Sequence, residues 1–292
     1  MTSIAVCIAS FNRRDRTLAC LQRLYTAELP EDMTVTVHLL DDGSSDGTAA
    51  AVAEAFPQVR LHHGDGNYFW AGGMRVAYGA ALAERHDYYV WLNDDVELFD
   101  DTLKRAIETE RALRRAHGGE HVIVGAMCAR DLQTTTYSGF VRASALLPWK
   151  FKRIPPAPDK PIECDTLNGN FVLIPAAVAH KLGNIDPSFV QMHADLVLGL
   201  TARRAGARNW VMPGHAGICD ANVAGRKNWR APGLSLSERL KMMEHPLGYP
   251  LKSNIAFSRY FSLWAPVMIA APYIGFLRAA LTSRRNKRSQ QT

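Results

Sequence analysis

The chain lacks most of the signatures that assign a function on sight. It has no CxxC pair, no GxGxxG fingerprint, no P-loop Lys-Ser/Thr pattern, no internal repeat and no low-complexity stretch. Dinucleotide binding and P-loop phosphoryl transfer are therefore weak readings. The five cysteines, Cys7, Cys20, Cys128, Cys164 and Cys219, have no regular spacing, and an odd number cannot all pair within one chain, so a reduced cytosolic protein is the simple expectation. Residues 4–9 form an apolar run too short for a secretory signal and without a basic region before it. A folded basic stripe is also missing: of the net charge of +6, five cations (Arg278, Arg284, Arg285, Lys287, Arg288) fall at the end, behind an apolar stretch. That placement argues against a nucleic-acid partner and for a membrane surface.

What is present is alternation. Short apolar or β-branched runs at 4–9, 34–40, 59–62 and 88–92 are separated by helical patterns, including one at 48–56 and an Ala-rich one ending near Glu84. This is the pattern of βαβ units around a mainly parallel sheet. Further strands are expected at 122–127 and 171–174, a polar strand or hairpin at 134–142, a proline-rich connector at 154–161, and helices at 175–182 and 195–205. Residues 261–277 carry no charge but are interrupted by Pro266 and Pro272. A spanning helix wants about twenty apolar residues, so this stretch suits a helix lying in a membrane interface, or a helical pair packed on the domain.

In such a sheet, ligands bind beyond the carboxyl ends of the strands, and those ends carry the polar residues here. Asp41 and Asp42 open DDGSSDGT after the second strand, and Asn93-Asp94-Asp95 follow the fourth. Each cluster can be a turn and helix cap. Each can also hold a ligand: clustered carboxylates repel unless a cation offsets them, and a hard divalent cation takes one or two of them. Asp95, supported by Asp94, is the metal candidate, with His215 as a further ligand or a structural histidine. The 64–73 loop, GDGNYFWAGG, places aromatics beside glycines, and Gly72 and Gly73 would let backbone approach a diphosphate at the start of the next helix. Asp195, in QMHAD, suits a helix start or a general base, and His193 could serve instead.

Taken in order, IAVCIASFNR, DDGSSDGT, GNYFWAGG, LNDDV and the later NGNFVLIPAAV…LGNIDPSFVQMHADLVLGLTARRAG block resemble a family 2 glycosyltransferase with the type A glycosyltransferase fold, over roughly residues 3–220. The resemblance implies an α/β fold with a mainly parallel central sheet flanked by helices. It implies a catalytic domain at 1–220, with a nucleotide-binding half at 1–100 and an acceptor-binding half at 121–220, and a helical, membrane-associating extension with a basic tail at 221–292. It implies an inverting enzyme that moves a sugar from a UDP- or dTDP-linked donor to an acceptor hydroxyl with Mn²⁺ or Mg²⁺. Asp195 would be the catalytic base and Asp95 the metal ligand. Ser10, Asn12, Arg13, Asp41, Asp42, Asn67, Gly72, Gly73 and Asp94 would line the nucleotide pocket, and Asn168, Gly169, Asn170 and His193 the acceptor side. Rhamnosyltransferase-like members suggest a lipid-linked acceptor, such as one on polyprenol diphosphate, for cell-surface polysaccharide at the cytoplasmic face of the membrane. Two positions depart from the pattern: Asn93 replaces the first Asp of DxD, and Val197 stands where relatives place a second acidic residue. The competing readings are a sugar-nucleotide nucleotidyltransferase, whose Gly-rich basic loop after the first strand is absent, and an inactive glycan-binding or scaffold module.

Overall fold

A computed structural model describes residues 2–221, 229–231 and 234–289, with side chains described up to 279. It divides into two units: residues 1–187 with 194–221, and residues 188–193 with 222–292.

The first unit begins with the expected alternation: β1 (Thr2–Ser10), α1 (Arg14–Thr26), β2 (Met33–Asp41), α2 (Thr48–Ala55), β3 (Arg60–His63), α3 (Phe69–Ala83) and β4 (Tyr88–Leu92). It continues through β5 (Glu97–Leu98), α4 (Thr102–His117), β6 (His121–Cys128), β7 (Thr135–Tyr137), β8 (Gly139–Arg142), β9 (Phe151–Arg153), β10 (Ile162–Cys164), β11 (Thr166–Leu167), β12 (Phe171–Pro175), α5 (Ala176–Leu182), α6 (Ala194–Arg204) and β13 (Arg208–Ile218). Among the described residues, the main sheet runs β10-β13-β6-β12-β4-β1-β2-β3. β1, β2, β3 and β4 are mutually parallel, and β12 enters antiparallel between β4 and β6. The sheet is therefore mainly parallel, as the alternation predicts.

The period of two divides each strand between the two layers. Ile4, Val6 and Ile8 of β1 join Val37 and Leu39 of β2 against Cys20, Leu21 and Leu24 of α1 and Val52 of α2. On the opposite face, α3 closes on β1 so tightly that a Cβ at Gly73 would lie 2.8 Å from the Ala9 Cβ and 2.9 Å from Leu40 Cδ2. The parallel register sets Ser10 beside Asp41, so both strands deliver their last residues to one edge.

Two features differ from the expectation. Residues 134–142 are no hairpin, because β7 pairs with β6 while β8 pairs with β9 and β11 in a separate three-stranded sheet. α4 was not legible because Glu110 interrupts its apolar stripe of Leu103, Ala106, Ile107 and Leu113, yet Glu110 is fully buried, accepting from Tyr88 Oη at 2.9 Å and pairing with Arg114. All five cysteines are buried and free.

The second unit contains α7 (Leu236–Glu244), opened by a Ser235–Glu238 capping box, α8 (Leu251–Ser258), a 3-10 turn (Arg259–Trp264) and α9 (Ala265–Ser289). The two prolines of the apolar stretch do not break it: Pro266 sits in the first turn of α9, where its missing N–H costs nothing, and Pro272 lies inside the helix. The interruption falls at Ser262, with φ 44°. Among the described residues, 251–279 is the one helical stretch long and apolar enough to cross a membrane, with mean hydropathy 1.4 over its most apolar 18 residues. Leu263 (93% exposed), Trp264, Val267, Ile274 and Leu277 are all on its surface. The basic side chains at 284, 285, 287 and 288 lie outside the described ones.

Candidate functional site

At the carboxyl end of β1 the chain turns sharply through Asn12, whose φ of 52° is in the left-handed region that asparagine tolerates. The turn is locked to the DDGSSDGT segment. Asn12 N–H donates to Ser44 Oγ at 2.8 Å, Ser45 N–H donates to Asn12 Oδ1 at 2.8 Å, and Arg14 N–H donates to Asp46 Oδ2 at 3.0 Å. Ser10 Oγ is held by Thr17 Oγ1 at 2.8 Å. These bonds shape a cleft of about 630 Å³ lined by Asn12, Arg13, Arg14, Asp15, Arg16 and Asp46. Three cations on one turn make it suited to an anionic ligand of nucleotide size.

The paired carboxylates after β2 do different work. Asp42 accepts Gly66 N–H on Oδ1 at 2.9 Å and both Tyr68 and Phe69 N–H on Oδ2 at 3.0 Å. Its two oxygens thus anchor the 64–69 loop to the end of β2, and a Cβ at Gly64 would come within 2.5 Å of Oδ1. Asp41 accepts Ser44 N–H on Oδ2 at 3.1 Å, but its buried Oδ1 has no partner. An unpaired buried carboxylate oxygen is costly, so this atom is the better candidate to accept from a ligand.

After β4, Asp94 and Asp95 face one guanidinium nitrogen: Arg13 Nη1 is 2.9 Å from Asp94 Oδ1 and 2.9 Å from Asp95 Oδ2. Burial pushes the Asp94 carboxyl up to about 6, against the Arg13 charge and with help from Asp95. On its other side Asp95 Oδ1 accepts from Cys219 Sγ at 3.6 Å, and Cys219 Sγ accepts from Asn170 Nδ2 at 3.4 Å. Burial, then the Asp95 charge, raise the Cys219 thiol, which stays protonated.

The third carboxylate reaches this neighbourhood through Trp70. Its indole Nε1 donates to Asn93 Oδ1 at 2.8 Å, and its ring fills the space where a Cβ on Gly169 would lie, 2.6 Å from Cζ2. The other side of Gly169 faces Asp195, with that same Cβ position 3.4 Å from the Asp195 Cβ. Asp195 Oδ2 accepts from Asn168 Nδ2 at 3.2 Å and Gly169 N–H at 3.3 Å, while Oδ1 accepts Leu196 N–H at 2.8 Å. Burial raises its carboxyl above the ordinary carboxylate range, and these donors oppose the rise.

Most expected site residues therefore fall along one continuous set of contacts, and some do not. Gly72 and Gly73 are buried inside the first turns of α3, where Gly73 serves helix-to-sheet packing rather than phosphate approach. Asn67 is exposed and bonds to Asp65. His215 lies within β13 rather than after a strand; its Nε2 faces Thr135 Oγ1 at 3.0 Å, and none of its described contacts is with Asp95. His193, at φ 74°, belongs to the second unit, where it stacks on Phe257 with centroids 4.2 Å apart. Arg14, Arg16, Trp70 and Cys219 were missed. The NRRDR run could have flagged the arginines, whereas nothing local marks Cys219.

Residues 5–138 match the model of glycosyl transferase family 2. The match covers a little under half of the chain. The family 2 segment carries β1 through β7, and with it Asp41, Asp42, Asp94 and Asp95. Among solved structures, the chain is similar to the mannosyltransferase PcManGT from Pyrobaculum calidifontis in complex with GDP-Man and Mn2+, at 16% identity and a TM-score of 0.53, covering 95% of this chain and 73% of that one. It is also similar to S. aureus TarS 1-349, at 15% identity and TM-score 0.52, and to TarS 1-349 in complex with UDP-GlcNAc, at 13% and 0.55; each covers 99% of this chain and 92% of the other. At these identities the likeness is one of fold, and it agrees with the type A glycosyltransferase fold expected from the motifs. No curated protein sequence matches the chain.

A divalent cation fits the residues present. One positively charged nitrogen already sits between oxygens of Asp94 and Asp95, so these two carboxylates converge on a common point and offer the hard oxygen donors that Mn²⁺ or Mg²⁺ prefers.

Proposed function

We propose that this chain is an inverting glycosyltransferase that moves a sugar from a nucleotide-diphosphate donor to the hydroxyl of a glycan acceptor. The observation that carries the reading is the contact path from Asp95 through Cys219 to Asn170, whose carbonyl accepts Asn93 N–H, and on from Asn93 through Trp70 and Gly169 to Asp195, which groups a pair of converging carboxylates with a separate carboxyl of raised proton affinity. Asp41 Oδ1 receives a donor from the base or ribose, and Arg13, Arg14 and Arg16 receive the diphosphate in the cleft after β1. Asp94 and Asp95 would hold the cation, which would supply charge neutralisation on the diphosphate.

Asp195 takes the proton of the acceptor hydroxyl as that oxygen bonds to the anomeric carbon; the bond from that carbon to the diphosphate breaks on the opposite face, and the diphosphate leaves with the electron pair. Configuration inverts, and no covalent enzyme intermediate is needed. A uracil- or thymine-linked donor suits the acidic pocket, because its imide N–H is a donor for Asp41. The apolar, exposed surface of 251–279 and the basic tail behind it support peripheral attachment to an anionic membrane face and a lipid-linked acceptor for surface polysaccharide. The test is a screen of nucleotide sugars with Mn²⁺ or Mg²⁺, following release of nucleoside diphosphate by mass spectrometry. Release with one donor class, abolished in Asp95→Ala, supports the reading; binding without turnover for every donor and acceptor tried would favour an inactive glycan-binding module.

A further inference from the structure

A second group of ligating side chains lies outside the site already described. His38 of β2, His86 in the turn before β4 and Glu84 at the end of α3 bring one imidazole nitrogen each and a carboxylate oxygen within 4.8 Å of one another. Glu84 Oε2 stands 3.8 Å from His38 Nε2 and 3.4 Å from His86 Nε2. The His38 side chain is 1% exposed and that of His86 7%, yet His38 Nε2 and both ring nitrogens of His86 have no hydrogen-bond partner. Buried polar atoms are rarely left so, and two of them, His38 Nε2 and His86 Nε2, stand within 4 Å of one carboxylate oxygen, an arrangement that a shared cation satisfies.

The surroundings select the kind of cation. His38 Nδ1 is 3.3 Å from His62 Nε2; in the tautomer where Nδ1 donates in that pair, Nε2 is left as a lone pair on the side of Glu84. That is how an outer partner orients a ligating histidine. Arg60 pairs with Glu84 through Oε1, which orients the carboxylate and leaves Oε2 for the cluster. Two imidazoles and one carboxylate are the donor set of zinc rather than of magnesium.

We propose that His38, Glu84 and His86 form a second metal site, for Zn²⁺ or a similar borderline transition ion, that clamps the end of α3 to β2 and is separate from the cation held by Asp94 and Asp95. A metal there ties two sequence-distant segments in the folded state only, so it acts as a staple on the nucleotide-binding half.

The experiment is titration of the full-length chain, freed of metal by chelation, with Zn²⁺ by calorimetry and with Co²⁺ by visible absorption, in an Asp95→Ala background that removes the other cation ligand. One equivalent of Zn²⁺ should bind, Co²⁺ should give the intense visible band of a low-symmetry nitrogen-containing site, and the thermal midpoint should rise with added Zn²⁺. His86→Ala and Glu84→Gln should each weaken Zn²⁺ at least ~10-fold and abolish the rise in midpoint while the chelated proteins unfold near the chelated parent. Circular dichroism separates loss of binding from loss of fold, and Glu84→Gln keeps shape where His86→Ala does not. No Zn²⁺ binding by the folded parent, or undiminished binding in folded Glu84→Gln and His86→Ala, overturns the site. Neither result depends on sugar transfer, so this site and the catalytic reading fail independently.

Discussion

Arg13 Nη1 bridges Asp94 Oδ1 and Asp95 Oδ2, at 2.9 Å from each. A single guanidinium nitrogen thus stands between the two carboxylates assigned to the cation, and it does so from the turn that also lines the anionic cleft. Arg13 offsets the repulsion between the aspartates, and it must share them when a divalent ion binds. Hydrogen bonds to charged groups are worth about 1.5–3 kcal/mol, roughly 10–100-fold in affinity. Arg13→Ala is therefore expected to tighten Mn²⁺ binding in the absence of nucleotide and to weaken nucleoside diphosphate by about tenfold or more, measured by calorimetry. Parallel weakening of both ligands would contradict this placement.

Asp195→Asn removes the proposed base and keeps one oxygen able to accept from the neighbouring N–H groups. General-base contributions of about 10²–10⁴-fold set the expected fall in turnover, with donor affinity unchanged within a few-fold. Transfer at the parent rate would show that another group takes the proton.

The pH dependence follows from Asp94, whose carboxyl lies at about 6, and from the raised Asp195. In the proposed roles both act as anions, so divalent-ion affinity should fall as pH drops through about 6, and turnover should begin to fall at a higher pH than for an ordinary carboxylate. Protonation of Asp94 in the folded chain begins well above that in the unfolded one. Its contribution to stability is then present at low pH and lost as pH rises through about 6, opposite in sign to its effect on binding. Asp94→Asn should flatten the binding profile, read as Mn²⁺ affinity between pH 5 and pH 8.

Gly73→Ala would insert a methyl against Ala9 and Leu40, with contacts of 2.8 and 2.9 Å. Overpacking of this kind costs about 1–3 kcal/mol. A lower denaturation midpoint is expected, with donor affinity unchanged in the folded fraction, because Gly73 serves packing. A selective loss of nucleotide affinity would instead place it at the diphosphate.

Leu263 is 93% exposed in the apolar C-terminal stretch. Burying a leucine in an apolar phase is worth about 1.5–3 kcal/mol, so Leu263→Glu should lower binding to anionic vesicles roughly tenfold or more in a sedimentation assay. Unchanged binding would remove this surface from the membrane contact.

The strand and helix alternation up to Leu92 was legible because each element is short, regular and bounded by its own turn residues: the sequence expectation for 88–92 coincides with β4, and that for 34–40 differs from β2 by one residue at each end. The polar strand ends were legible too, since parallel strands put such residues on one edge wherever they occur. α4 was hidden by Glu110, whose burial makes sense only with Tyr88 and Arg114 in place.

By itself the sequence determined the mainly parallel sheet, the family resemblance and which carboxylates were available for chemistry, because strand period, turn chemistry and motif order are local properties. Only the tertiary structure decided what each carboxylate does. Asp41 and Asp42 are adjacent and look alike, but loop 64–69 brings three N–H donors to Asp42 and leaves Asp41 Oδ1 without one. Cys219 reaches Asp95, Trp70 reaches Gly169, and His38 reaches His86 across the fold. Hydrogen bonding, burial and charge depend on neighbours in space, and those neighbours are set by strand order rather than by position along the chain.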